Sequence, residues 1–530
     1  GELGYWRIAE EFDEGTQTSF SFVKGPSTTK EGGMRELKSP LLALLVSLPA
    51  LRGAETEACS AASSLPLTIE DVNPHIKSAE YAVRGRLLDK AVELDAQLKA
   101  GEKLPFSQIV RCNIGNPQAL GQKPLSFMRR TLSMLMNPEL LESPPASYPA
   151  DVVARAKEYS AAVPSVGAYS DSQGIALVRE QVAEFISNRD GYPAHASDIF
   201  LTDGASAGVK ALMQLMVRGP KDAVLAPIPQ YPLYSAVTAM LNGTLAGYYL
   251  DEASSWGVIE AELRRALARA TDAGATARAL VVINPGNPTG QSLPQSVIEM
   301  ILRFAAHEGL LLMADEVYQE NVYGNAPAFF SFKKALAELR LAGEKGDEVA
   351  AALAKKAQVI SFHSTSKGFL GECGLRGGYF ELQNIPEDVK AQIVKLASVS
   401  LCSNVVGQFA TGLMVRPPSK GELSYAEYSS ERQAILDSLA KRARDTAAAL
   451  DALPGMSCNA AEGAMYLFPQ LHLPAAAVAA AEAAGIKADE FYALRLLEAT
   501  DKQLTDVLKR LVSLVPFKAV FQKEFMATYS

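Results

Sequence analysis

From Asp198 onward the chain repeats one pattern: a short apolar run, then a longer stretch whose apolar positions return every three or four residues. The runs predict strands at Ile199–Thr202, Ala223–Ala226, Gly247–Leu250, Ala279–Ile283, Leu310–Ala314, Val359–Phe362 and Gly378–Glu381. Stretches such as Val209–Val217 and Gln295–Glu308 predict helices between them. Runs without polar alternation are buried on both sides, which implies an α/β fold with a mostly parallel sheet covered by helices on both faces.

The flanks follow other rules. Leu67–Pro74 reads as an extended arm, Ser78–Leu98 as a helix and Gln108–Asn113 as a short strand leading into the turn Gly115-Asn116-Pro117. Ala119–Leu141 is helical with breaks and stops at Pro144-Pro145, and Ile175–Asn188 is a further helix. After Arg416-Pro417-Pro418-Ser419 come a helix at Tyr425–Leu450, a strand at Met465–Phe468, an Ala-rich helix and a helix at Phe491–Leu511. The expected organisation is an extension over 1–66, an N-terminal arm with part of a small domain over 67–190, a large ligand-binding domain over 191–416 and a C-terminal small domain over 417–530.

Composition narrows the function. At 530 residues the chain exceeds one ordinary core, and 48% hydrophobic with 21% charged residues is globular. The 51 basic and 59 acidic residues give a net charge of -8, with no basic cluster to meet nucleic acid. Five scattered cysteines and five histidines show no metal-ligand spacing, so no metal site is expected. Met34 opens a charged segment followed by the mostly apolar run Leu41–Leu51 and Gly53-Ala54, which reads as a targeting leader or as an irregular extension with one apolar helix. That run is too short to span a bilayer, and no membrane partner is expected.

In a sheet of this kind ligands sit at the carboxyl ends of the strands. The segment after Val359–Phe362 carries Ser364, Ser366, Lys367 and, nine residues on, Arg376 among glycines. A lysine so placed can form a Schiff base with a phosphorylated aldehyde cofactor, with Arg376 and the serines on the phosphate. Alone, the segment reads better as a solvated loop lysine with Arg376 a surface charge. Two other strand tips change that balance. Leu310–Ala314 ends on Asp315, an expensive burial unless a cation such as a protonated pyridine nitrogen meets it. Ala279–Ile283 runs into Asn284-Pro285-Gly286-Asn287-Pro288-Thr289-Gly290. Beyond the first strand, the Gly204 and Ala205 backbone and the Ser206 hydroxyl open a helix whose N-terminus suits a phosphate. Tyr231, after the second strand, could stack on a pyridine or simply pack in the core. No nucleotide-binding Gly motif is present.

At these residues the chain resembles the fold type I pyridoxal phosphate aminotransferases, and Ser361-Phe-His-Ser-Thr-Ser-Lys367-Gly-Phe-Leu-Gly-Glu-Cys-Gly-Leu-Arg376-Gly-Gly-Tyr379 is similar to the alanine aminotransferase family within them. Asn113–Ala119, Gly167–Gly174 and Glu462-Gly-Ala-Met-Tyr466 carry the same resemblance, which runs from about Leu67 to the C-terminus. It implies pyridoxal 5'-phosphate on Lys367, Asp315 on the pyridine nitrogen, stacking by Tyr231, and Asn287 and Tyr318 on the ring O3′. It implies Ser206, Ser364 and Arg376 on the phosphate, joined by Tyr169 from the partner of a homodimer, and closure of the Gly115 loop over the substrate. The implied reaction exchanges an amino group between L-alanine and 2-oxoglutarate, giving pyruvate and L-glutamate, in the cytoplasm or an organelle. Glutamate:glyoxylate transamination is the nearest alternative.

One departure stands out. Relatives pass, after the helix ending at Thr500, through two strands, the second bearing the arginine that grips the substrate carboxylate; here Thr500 runs straight into Asp501-Lys502-Gln503. Arg495 and Arg510 lie in helical pattern and do not match that arginine. The expectations are a strand at Met465–Phe468 without neighbours and a cofactor-binding protein of low turnover, unless Arg111 or Arg495 takes over the carboxylate.

Overall fold

The computed structural model describes residues 68–498, apart from 82–85, 105, 110–114 and 325, together with the backbone of Trp6–Ala9, Ser21–Lys24 and Lys518–Ala519. The chain divides into two compact units, Gly1–Val72 and Asn73–Ser530. In the first, Trp6–Ala9 pairs antiparallel with Ser21–Lys24. The segment from Met34 that the sequence reads as a leader or an irregular extension lies outside the described residues.

Seven strands form the central sheet: β1 (Ile199–Thr202), β2 (Asp222–Ile228), β3 (Thr244–Tyr249), β4 (Thr276–Ile283), β5 (Leu311–Asp315), β6 (Gln358–Ser364) and β7 (Gly378–Gln383). Their order is β1-β7-β6-β5-β4-β2-β3, parallel throughout except for β7, which runs antiparallel to both β1 and β6. Every strand read from the apolar runs is present. The third begins earlier than expected, at Thr244, because its first two residues lie half-buried at the sheet edge and carry less apolar signal.

Both faces are covered, and the strands show it residue by residue. Along β4, Ala279, Val281 and Ile283 enter one core with helices Ala205–Met216 and Leu233–Met240, while Leu280 and Val282 enter another with Glu260–Asp272 and Gln295–Glu308. A period of two thus persists, with both phases apolar. The helices are delimited by local chemistry: Ser331 and Asp347 cap Phe332–Glu344 and Glu348–Lys356 by accepting the amides of Lys334 and Ala350, and Gly309, at φ +68°, ends Gln295–Glu308. A third core joins Ser126–Met136, Ala150–Ala162, Ala176–Asp190 and Val405–Val415 to the outer sheet residues Ile199, Leu201 and Tyr379.

The flanks differ more from expectation. The arm is not extended: Thr68 and Asp71 close a capping box around a turn of 3-10 helix, and Asn73-Pro74 starts the short helix Pro74–Ser78. The expected helix Ser78–Leu98 is replaced by Arg86–Lys99. Residues 106–109 form no strand, and the rest of that run lies outside the described residues. Helix Ala488–Glu498 covers the start of the predicted Phe491–Leu511, whose remainder is not described. Tyr466–Leu467 is not isolated, contrary to expectation, because Lys518–Ala519 pairs with it in parallel and Gly463 bridges to Val322. The backbone groups that the sequence left without partners are met by the chain beyond the helix.

Candidate active site

Strand register brings the chemistry to one edge. Gly378 at the start of β7 lies opposite both Thr202 and Ser364, so the chain segments after β1 and β6 and before β7 meet there. Asp315, the last residue of β5, lies beside Ile283, the last of β4, and Phe362, two residues before the end of β6, so the segments after these three strands leave the sheet close together. The chain winds outward from β2 to β3 and in the opposite direction from β4 to β7. The crevice between β2 and β4 is therefore a switch point, flanked by Tyr231 and the Asn284–Gly290 turn.

Beyond β1, Gly204 has φ +76° and caps helix Ala205–Met216. A Cβ on it would lie 2.7 Å from Arg376 Nη2, so a side chain here would push the guanidinium out of its present place. Arg376 donates from Nη2 to the Asp203 carbonyl at 2.8 Å and to Ser206 Oγ at 3.4 Å, and from Nη1 to the Cys373 carbonyl at 3.0 Å. Arg376 itself has φ +53°, a turn that swings its side chain across to the helix start. Guanidinium, hydroxyl and helix N-terminus form one cradle for a doubly charged anion. Ser364 is buried and turned inward: its hydroxyl donates to the Gly377 carbonyl at 3.1 Å, lies 3.0 Å from Ser366 Oγ, and accepts the Ser366 amide. It shapes the turn that carries Lys367.

Lys367 Nζ donates to the Gly115 carbonyl at 3.0 Å and lies 5.8 Å from the centre of the Tyr318 ring. The Cys373 thiol donates to the Ser366 carbonyl, 3.1 Å away, and takes a packing position. Asp315 is 6% exposed; its Oδ2 accepts from the Tyr234 hydroxyl at 2.8 Å, and among the described residues it has no ion pair. Burial raises its pKa, opposed by those hydrogen bonds and by the Lys367 charge. A buried carboxylate so placed is short of one cation. Tyr318, pushed well above the usual phenol range by burial, pairs with the Tyr466 hydroxyl at 2.7 Å.

Tyr231 is half-buried and shares a 2.7 Å hydroxyl contact with Tyr81 from the arm. Asn287 is half-buried in its turn, which is held by Glu462 and Gly463 amides on the Gly290 carbonyl at 2.9 and 2.7 Å. Tyr169 is 77% exposed and, among the described residues, makes no hydrogen bond to the cradle. Sequence reasoning passed over Tyr234, three residues beyond Tyr231, and gave Tyr466 no role. The Tyr231-Pro-Leu-Tyr234 spacing was the available signal for the former. Arg495 lies on Ala488–Glu498, exposed, paired with Glu498 at 3.3 Å and over the Phe491 ring. It makes no contact with the lysine pocket among the described residues.

The family aminotransferase class I and II matches residues 143–509. The chain belongs to the class I and II aminotransferases. Alanine aminotransferase 2 of Panicum miliaceum is 49% identical over 439 residues, 82% of this chain and 89% of that protein. Glutamate–glyoxylate aminotransferase 2 of Arabidopsis thaliana is 47% identical over 461 residues, 86% and 90% of the two chains. An Escherichia coli aminotransferase shares the fold at a TM-score of 0.60 and 23% identity, over 82% of this chain and 88% of that one. This aminotransferase is a pyridoxal 5'-phosphate enzyme, as its family is. Its own residues fit that cofactor: the cradle at Gly204, Ser206 and Arg376 suits a phosphate, and Asp315 lacks the cation that a protonated ring nitrogen supplies.

Proposed function

We propose that the enzyme exchanges an amino group between L-alanine and 2-oxoglutarate, with Lys367 as the residue that holds the cofactor and moves the substrate proton. One observation carries the reading: the Lys367 amine, the cation-short Asp315 and the Gly204–Arg376 cradle share one edge of the sheet. When bound, the cofactor supplies a carbonyl carbon for the amine and a cationic ring that accepts electron density. Lys367 takes the proton from the substrate Cα as general base and returns it as general acid. Asp315, fixed by Tyr234, keeps the ring nitrogen protonated. Gly204, Ala205, Ser206 and Arg376 serve the phosphate, Asn287 and Tyr318 the ring oxygen, and Tyr231 the ring face, while Ser364, expected on the phosphate, is turned inward and holds the lysine turn instead. Tyr169, exposed on its own chain, would serve the phosphate of a second subunit in a homodimer.

Substrates are amino acids and 2-oxo acids, with 191–416 as the cofactor-binding domain and the segment from Met34 as an organelle-directing leader. The substrate carboxylate is the open contact. A charge-assisted partner contributes roughly 1.5 to 3 kcal/mol, and the resemblance implies an arginine-bearing segment after Thr500, where this sequence runs straight into Asp501. Weak turnover with firm cofactor binding follows as a second reading, and inserting a family-like segment between Thr500 and Asp501 should raise kcat/KM for alanine about tenfold or more. The deciding experiment is borohydride reduction of the holoenzyme followed by peptide mapping. The cofactor is expected on Lys367, and its recovery on another lysine would refute the site. Comparing pyruvate with glyoxylate as acceptor separates the two reactions, a preference for glyoxylate counting against alanine.

A further inference from the structure

Tyr318 and Tyr466 are 1% and 3% exposed, with hydroxyl oxygens 2.7 Å apart and rings set edge to face at 85°. Each phenol has one proton and two lone pairs. Only one proton can lie between the two oxygens, and among the described residues neither hydroxyl has another hydrogen-bond partner. One O–H of the pair is therefore left to point elsewhere.

The position of Tyr466 is tightly determined. Ahead of it, the Ala464 amide bonds the Asn321 carbonyl at 3.0 Å, and Glu462 and Gly463 are pinned to Gly290. Its hydroxyl presses on Gly115, where a Cβ would come within 2.8 Å of it and 3.3 Å of Lys367 Nζ. The phenol thus stands between the lysine loop, the turn after β4 and Tyr318. The charged and titratable groups facing the pair are Asp315, Tyr231 and Lys367. Burial keeps Tyr318 protonated at ordinary pH, which leaves it a donor.

We infer that Tyr466 is a positioning residue for transamination, donating its proton to the Tyr318 oxygen so that the Tyr318 proton is turned outward to the cofactor ring oxygen. This rests on the reading of Tyr318 given above. A hydroxyl that accepts one hydrogen bond donates the next more strongly. A stronger donor on the ring oxygen draws off negative charge and loosens the proton on the neighbouring lysine nitrogen.

The test is the pH midpoint of the holoenzyme's visible absorption. Tyr466→Phe keeps the ring and its packing, and should raise the midpoint by about half a pH unit, about threefold in proton affinity. Tyr318→Phe should raise it further, and the double variant no further than Tyr318→Phe alone, since Tyr466 acts through Tyr318. An unmoved midpoint in Tyr466→Phe beside a shifted one in Tyr318→Phe overturns the inference alone, even if thermal stability falls. An unmoved midpoint in Tyr318→Phe overturns the assignment of Tyr318 itself, and this inference with it.

Discussion

At the scale of single residues, the site is built on groups that are costly where they stand unless a ligand completes them. Asp315 illustrates the point. Burial pushes its pKa up, and two hydrogen bonds and the Lys367 charge push it back, without an ion pair to settle the matter. A protonated ring nitrogen would settle it, and the carboxylate would in turn hold that proton in place. Asp315→Asn keeps the size and can still accept from Tyr234, yet loses the charge. Turnover should fall by about a hundredfold or more, while the cofactor, still gripped at its phosphate, should bind with less loss. Steady-state kcat with a cofactor titration checks this; unchanged turnover would remove Asp315 from the role. The sequence exposed Asp315 because an acid at the tip of an apolar strand is anomalous. It did not expose Tyr234, since a tyrosine whose hydroxyl finds a partner across 81 residues looks like any core aromatic.

At the scale of elements, strand register does what no single side chain can. Gly378 opposite Thr202 and Ser364 draws a helix start, a lysine turn and an arginine into contact. This much was legible, because uninterrupted apolar runs announce buried parallel strands and the motifs fall at their ends. The antiparallel β7 was not, since a run of Gly378–Glu381 carries no sign of direction. The flanks were misread for a related reason: local hydrogen bonds at Thr68–Asp71 and Asn73 override a pattern that seemed extended. Gly204 is the position where an element meets the site most closely. Gly204→Ala would place a methyl group 2.7 Å from Arg376 Nη2 on a backbone of φ +76° and ψ +164°, forcing the guanidinium away and straining the helix start by about 1 to 3 kcal/mol. Cofactor affinity should drop about tenfold with lysine chemistry intact, as read by titrating apoenzyme. An affinity equal to wild type would show that the cradle does not grip the phosphate.

At the scale of the whole molecule, one proposed ligand of the phosphate is turned to solvent on its own chain. Tyr169 is 77% exposed, in a loop whose Ser172 hydroxyl donates to the Leu401 carbonyl at 2.6 Å. A two-fold interface that carries this loop to the partner would place Tyr169 of each subunit near the cradle of the other. That geometry makes a prediction that a monomer cannot imitate. Lys367→Ala and Tyr169→Ala should each be impaired as homodimers, the first abolished and the second weakened for cofactor. Co-expressed, they form hybrids in which one site has both substitutions and the other has neither, because its lysine comes from the Tyr169→Ala chain and its tyrosine from the Lys367→Ala chain. Half of randomly assorted dimers are hybrids with one whole site each, so activity at limiting cofactor should reach about a quarter of wild type. If Tyr169 served only its own chain, no hybrid would contain an intact site, and the mixture would never exceed the sum of its parents. Activity measured on hybrids isolated with two different affinity tags decides between the two arrangements.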